Sequence, residues 1–190
     1  MLDGCSLRNA INTGTININS DSNVQGFAGG IAGSCSNCTI EKSENHGLIE
    51  IEDNANAVAG GITGKVEHSK MEECMNFGVI ATTSDTTSTG GISGSADAQS
   101  SITKCYWSED TGASACGTSS NTTVNESYSF NEDLVLNGAG NGTHLFDALN
   151  GGKDEKWIQN DKGYSIQFII NGKEYVTLSS AVIRPPSLVD

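Results

Sequence analysis

Short segments in which apolar and polar residues alternate recur along the first two thirds of the chain. Thr15-Ile16-Asn17-Ile18, Leu48-Ile49-Glu50-Ile51 and Val79-Ile80-Ala81-Thr82 each put every second side chain on one face, as a half-buried strand requires. The pattern predicts that Ile16/Ile18, Ile49/Ile51 and Ile80/Thr82 point inward. Further apolar positions return at matching offsets, at Ile40, Met71 and Ile102 and at Cys35, Val66 and Ala96. No helical period occurs in this region.

The residues between the strands repeat as well. Gly-Gly-Ile-x-Gly occurs at 29–33, 60–64 and 90–94, with spacings of 31 and 30 residues, and Asn-x-Gly occurs at Asn12/Gly14, Asn45/Gly47 and Asn76/Gly78. Glycine at fixed positions predicts corner conformations closed to other side chains, and the Ser, Thr, Asn and Asp around them favour turns. A unit of about 30 residues made of short strands cannot bury a face alone, but stacked coils set equivalent side chains about 4.8 Å apart. An all-β parallel solenoid is predicted over residues 1–130. The competing propeller uses longer repeats and closes a circle of at least about four blades, which three and a half repeats do not.

The regularity weakens toward the C-terminus. Cys105 aligns with Cys74, but Trp107-Ser108-Glu109 stands where Asn-x-Gly is expected, no further pentad follows, and 111–129 reads as an irregular coil or loop. Residues 131–183 form a mixed segment. Thr143 to Leu149 carries the apolar spacing of a short helix with Thr143 as N-cap and Gly151 as stop, and Lys156-Trp157-Ile158 reads as a strand. Tyr164 to Ile170 and Glu174 to Leu178 flank Asn171-Gly172, a hairpin turn dipeptide. This segment is predicted to cap the C-terminal end of the stack, with 184–190, including Arg184-Pro185-Pro186, as a linker.

Ten basic against 23 acidic residues give a net charge of -13. Such a surface repels phosphate backbones and anionic headgroups, which excludes nucleic acid as a partner. No apolar run reaches the length of a membrane span, and Met1-Leu2-Asp3 lacks the basic and apolar regions of a signal peptide, so a soluble chain is expected. Asp3-Gly4-Cys5 already resembles the middle of a repeat.

The repeat offsets align Cys74 with Cys105, and Cys5 with Cys38. Equivalent positions in stacked coils are about 5 Å apart, inside the disulfide range, so Cys74–Cys105 and Cys5–Cys38 are candidate disulfides, the alternative being unbridged thiol ladders. Cys35 aligns with Val66 and Ala96 and reads as a core thiol, while Cys116 has no partner in the repeat. Cys35-Ser36-Asn37-Cys38 is formally a CxxC, but no second pair stands at zinc spacing, so no metal site is expected. Asn37, Asn121, Asn125 and Asn141 head N-glycosylation sequons, about as many as the composition yields by chance. Glu41, Glu44, Glu50, Glu52, Asp53, Glu67, Glu72 and Glu73 read as a solvated acidic face, and His46, His68 and His144 as surface or turn histidines.

The pentads, Cys74-Met75-Asn76-Phe77-Gly78 and Cys105-Tyr106-Trp107 together resemble GLUG-type repeats, with Ile where that family name has Leu. Leu149-Asn150, Trp157 and Gly163-Tyr164 resemble the segment that closes such arrays, so the likeness spans about residues 5 to 165. The resemblance implies a right-handed β-helix in a secreted or surface-attached microbial protein, with no catalytic residue and no cofactor. The expected role is a non-enzymatic structural or adhesive module, a stalk or fibre subunit at the cell surface. Its partners would be other copies or further repeats meeting open solenoid ends, and host or matrix glycans. The alternative is a carbohydrate-binding or carbohydrate-active β-helix, which needs two carboxylates about 5–10 Å apart near aromatic platforms, the candidates being Tyr106 and Trp107.

Overall fold

The alternating segments form strands of two to five residues, each ended by a corner, and the strands of successive coils lie side by side. The computed structural model describes residues 1–19, 25–52, 57–83, 88–112, 114–150, 155–160, 163–170 and 173–176, the last three stretches as backbone only. The first ladder contains Leu2–Asp3, Ala32–Ser36, Thr63–Glu67, Ser93–Ala96 and Cys116–Ser119. The second contains Ser6–Arg8, Thr39–Glu41, Lys70–Glu72, Ser101–Thr103 and Thr123–Asn125, and the third Ile11–Asn12, Glu44–Asn45, Met75–Asn76, Tyr106–Ser108 and Tyr128–Phe130. The fourth holds Ile16–Asn19, Ile49–Glu52 and Ile80–Thr82, and the fifth Phe27–Gly29, Val58–Gly60 and Ser88–Gly90. Every pairing within these ladders is parallel and joins one coil to the next, which is a parallel β-solenoid.

The interior falls into two apolar lobes. Ile40, Met71 and Ile102 of the second ladder meet Cys35, Val66 and Ala96 of the first and the pentad residues Ile62 and Ile92. Ile49 and Ile51 of the fourth ladder pack against Ala28 and Ala59 of the fifth. Ile40, Ile49, Ile62, Ile92 and Ile102 are wholly buried, each contributing roughly 1.5–3 kcal/mol. Thr82 does not join this set. Among the described residues the fourth ladder ends at its strand, with no further strand beside it, and the side chain is exposed.

The pentad and Asn-x-Gly corners touch across the coil. A Cβ on Gly30 would overlap the Asn45 amide, and one on Gly61 the Asn76 amide. The asparagines themselves form a column: Asn12 Nδ2 donates to Asn45 Oδ1 and Asn45 Nδ2 to Asn76 Oδ1, both at 2.9 Å. Each Oδ1 also accepts from the glycine two residues on, in Asx turns at Gly14, Gly47 and Gly78. Buried amides are normally satisfied, and this column satisfies the Asn45 amide with copies of itself, leaving only Asn76 Nδ2 at its far end without a hydrogen-bond partner among the described residues.

The pentad glycines are required for a different reason from the one expected. None has a positive φ; Cβ atoms at Gly29, Gly60 and Gly90 would instead strike the backbone of the neighbouring strand and of the next coil. The left-handed corners belong mainly to residues with side chains: Asn9, Asn37, Lys42, His68, Glu73, Lys104, Asn121 and Glu126, with φ from 47° to 60°. That conformation is costly away from glycine. Stacking offsets it, because these corners bond to the next coil, as in Asn37 N–H to Glu67 O, Lys42 N–H to Glu72 O and Glu73 N–H to Thr103 O at 3.0–3.1 Å.

Trp107 changes the coil. It stands in register with Asn76, and its indole fills the space against Gly91 that the asparagine amides fill earlier. Its Nε1 donates to Gly112 O at 3.0 Å, across a 3-10 turn at Glu109–Thr111 that returns the chain directly to the first ladder. The expected irregular loop at 111–129 is therefore mostly a short coil of three strands, in register with the coil before it. Cys116 does have a repeat partner: it pairs with Ser93, and Ser114-Ala115-Cys116-Gly117 takes the pentad's place, Ala115 O accepting from Ile92 N–H.

The mixed segment covers a flank as well as an end. Leu136 bridges the outer edge of Phe130 antiparallel, closing the third ladder. The helix Leu145–Asn150 sets Leu145, Phe146 and Leu149 in one cluster with Met75, Tyr106 and Phe130, residues that alternate with the inward Asn76 and Trp107 and so face outward. Its first turn is capped by His144 Nδ1, which accepts from Phe146 N–H at 3.3 Å, while the Thr143 hydroxyl turns back to Gly140 O. Beyond it Glu155–Asn160, Gly163–Ile170 and Lys173–Val176 form an antiparallel sheet, with Ile170 opposite Lys173. The Asn171-Gly172 turn, Gly151, Leu178, Asp53 and the linker 184–190 lie outside the described residues.

Candidate functional site

Two columns of small polar residues follow the left-handed corners, and four of the six cysteines stand in them. The first column is Cys5, Cys38, Ser69, Ser100 and Thr122; the second is Ala10, Ser43, Cys74, Cys105 and Ser127. Hydroxyl and thiol do the same work there. Cys38, Ser43, Ser69, Cys74, Cys105 and Ser127 donate to the carbonyl two residues back, as in Cys38 Sγ to Ser36 O at 3.1 Å, Ser69 Oγ to Glu67 O at 2.6 Å and Cys105 Sγ to Thr103 O at 3.4 Å, whereas Ser100 and Thr122 donate to Asp97. The hydroxyl also accepts from the N–H one coil back, as Ser69 Oγ does from Cys38 and Ser127 Oγ from Cys105, both at 3.0 Å.

All six cysteines are thiols in this structure. Cys5 Sγ lies 3.2 Å from Cys38 Sγ, while Cys74 Sγ donates to Ile40 O and Glu72 O, both at 3.5 Å, and Cys105 Sγ to Thr103 O at 3.4 Å. The hydrogen bond to Cys38, then burial, raises the pKa of Cys5 above the ordinary thiol value. Burial pushes Cys35 up to about 12 and Cys116 to about 11, and raises Cys105 well above its ordinary value. Thiols held protonated are weak nucleophiles, so none of these four is an activated catalytic cysteine at neutral pH. Among the described residues, no group of three or more His, Cys, Asp or Glu side chains is placed to hold a metal ion.

The acidic residues do not make one solvated face. Lys42 lies 4.0 Å from Glu73 and Lys104 lies 3.6 Å from Glu126 along one corner column, and Arg8 pairs with Glu41 at 3.6 Å. Arg8, Glu41, Lys42, Glu72 and Glu73 line a shallow depression of about 200 Å³. Glu44 is buried at 2% exposure, with His46 Nε2 at 2.9 Å from its carboxylate and the His46 ring stacked 4.9 Å from Phe77. His46 is thus a packed hydrogen-bond partner of Glu44 rather than a surface histidine, placed by the same outward alternation that exposes Met75 to the helix. His68 remains on an exposed corner, 3.4 Å from Asp97. Burial acts to raise the Asp97 pKa, but hydrogen bonds from the Ser100 hydroxyl and His68 N–H outweigh it and hold the carboxylate below its usual range.

Tyr106 and Trp107 are buried, at 3% and 5% exposure, so neither presents a ring to a sugar, and burial pushes Tyr106 up to about 12. Asn37, Asn121, Asn125 and Asn141 are all exposed, three of them on left-handed turns. Asn37 Nδ2 donates to Asp3 Oδ1 at 3.3 Å. No described helix is long and apolar enough to cross a membrane.

The corner role of the cysteines was readable only in part. Their alignment showed in the repeat offsets, but their equivalence to Ser69, Ser100, Ser43 and Ser127 needed the corners to be located. No family model, curated protein or solved structure matches the chain.

Proposed function

We propose that the protein is a non-enzymatic structural or adhesive module of an extracellular or cell-surface protein, a GLUG-like β-solenoid that serves as stalk or fibre subunit. The observation that carries this reading is the asymmetry of the two ends. At the N-terminal end all five ladders finish in edge strands with no pairing beyond them among the described residues, and Ile11 is 50% exposed beside half-buried Leu2, Leu7, Ile16 and Ile18. At the C-terminal end the ladders stop at different coils and the third is closed by Leu136.

An open edge of short parallel strands accepts another strand of the same kind. The Asn column has direction too, since its Nδ2 atoms point toward the C-terminal coils and leave Asn12 Oδ1 facing the open end as an acceptor. Further repeats, or another copy, would satisfy both. The test is sedimentation velocity of the intact protein over a wide concentration range beside an Ile16→Lys, Ile18→Lys variant. The expected result is reversible association lost in the variant. A strictly monomeric parent at the highest concentration would refute association through this end.

A further inference from the structure

Three thiols gather at the open end of the stack. Cys5 Sγ is 3.2 Å from Cys38 Sγ, and Cys35 stands buried in the interior three residues before Cys38. Cys5 and Cys38 precede strands paired in register, Ser6 with Thr39 and Leu7 with Ile40, so they belong to consecutive coils. Only Cys5 of the three is partly exposed; Cys38 and Cys35 are buried at 3% and 0% exposure. In the next two coils Ser69 and Ser100 do the work of the corner, so sulfur is not needed there for hydrogen bonding.

We propose that Cys5 and Cys38 form a redox-reversible staple between the outermost coil and its neighbour, a site of exchange with low-molecular-weight disulfides. Cys5, the accessible thiol, reacts slowly through the minor fraction that has lost its proton, attacking one sulfur of the small disulfide, forming a mixed disulfide and expelling one small thiolate. Cys38 then gives up its proton and attacks Cys5 Sγ, closing the intramolecular bond and expelling the second thiolate, and the two protons lost by the cysteines pass to the two small thiolates. Two protein thiols and one small disulfide become one protein disulfide and two small thiols, two electrons passing to the reagent. The bond closes a loop around the coil whose apolar rungs are least covered. A Cys35–Cys38 bond would span only Ser36 and the left-handed Asn37 within one coil and would join nothing to its neighbour. Cys74 and Cys105 also stand in consecutive coils, but both are wholly buried, so the reagent does not reach them in the folded state.

The test treats the intact folded protein with oxidised glutathione, blocks remaining thiols by alkylation, and maps the digest without reduction. The expected result is loss of two of the six thiols, recovery of a Cys5–Cys38 peptide, and about tenfold slower hydrogen exchange at Ser6–Arg8. A Cys38→Ser variant keeps the residue type found at positions 69 and 100 and should instead retain glutathione on Cys5. The proposal is overturned by Cys35–Cys38 or Cys74–Cys105 forming first, by glutathione persisting on Cys5 of the parent, or by no thiol loss under conditions that oxidise the unfolded chain.

Discussion

Gly61 lies against the side-chain amide of Asn76 so closely that a methyl group on the glycine would occupy the position of the amide. Gly30 stands in the same relation to Asn45. The two motifs that recur along the sequence are therefore the two sides of one contact, a seam that runs up the stack and separates its apolar lobes. Gly61→Ala should destabilise the protein by about 3 kcal/mol in urea titration, because the backbone of both coils must move to admit the new carbon. Combined with Asn76→Ala it should lose less than the sum of the two single changes, since removing the amide makes room for the methyl.

The asparagine column should weaken unevenly along its length. Asn45→Ala removes the acceptor of Asn12 Nδ2 and of the buried Gly47 N–H together with the donor to Asn76 Oδ1, and is expected to cost about 3 kcal/mol. Asn12→Ala, at the half-exposed end of the column, should cost about 1 kcal/mol. Equal losses in the two variants by chemical denaturation would mean that the column is not a buried network.

Trp107 ends the five-stranded coils at the expense of the column above it. Asn76 Nδ2 is buried without a hydrogen-bond partner among the described residues, because an indole follows where an amide oxygen would have accepted. Trp107→Ala should cost about 3–5 kcal/mol and speed hydrogen exchange in Cys116–Ser119 and Thr123–Asn125, whose coil rests on it. Unchanged exchange there would remove Trp107 from this role.

Alkali should unfold the stack through its thiols. Cys35 and Cys116 ionise in the folded chain only at about 12 and about 11, whereas unfolded thiols do so near about 8.5. Above that lower value the unfolded chain has released protons the folded chain still holds, so stability is complete below about pH 8.5 and falls as pH rises toward the folded values. Tm should decline steadily above about pH 9. Cys35→Val, which installs the residue found at position 66 of the same column, should flatten the decline while changing stability at neutral pH by less than about 1.5 kcal/mol. A decline just as steep in that variant would place its cause elsewhere.

The coil stack was legible because its signals are local and repeated. Ile49 and Ile51 alternate, Met71 and Val66 return at fixed offsets, and both are set by the period-two geometry of a strand. What escaped was set by neighbours one coil away. Glu73 and Lys104 carry no preference for a left-handed corner, and adopt it through backbone bonds to Thr103 and Asn125 that a single repeat does not display. Glu44 reads as one more surface carboxylate until its alternation with Asn45 turns it outward, into the packing of His46 and Phe77. The last coil was hidden for the opposite reason: Ser114-Ala115-Cys116-Gly117 keeps the backbone path of a pentad while losing most of its glycine.

The reading of this protein as a structural unit joined through its N-terminal end rests on where new backbone pairing forms. Amide hydrogen exchange measured at increasing protein concentration locates that pairing directly. Concentration-dependent protection is expected, confined to Leu2–Asp3, Ser6–Arg8, Ile11–Asn12, Ile16–Asn19 and Phe27–Gly29, the edge strands of the first coil. Protection that is independent of concentration, or that arises instead in Cys116–Ser119 and Thr123–Asn125, would contradict it.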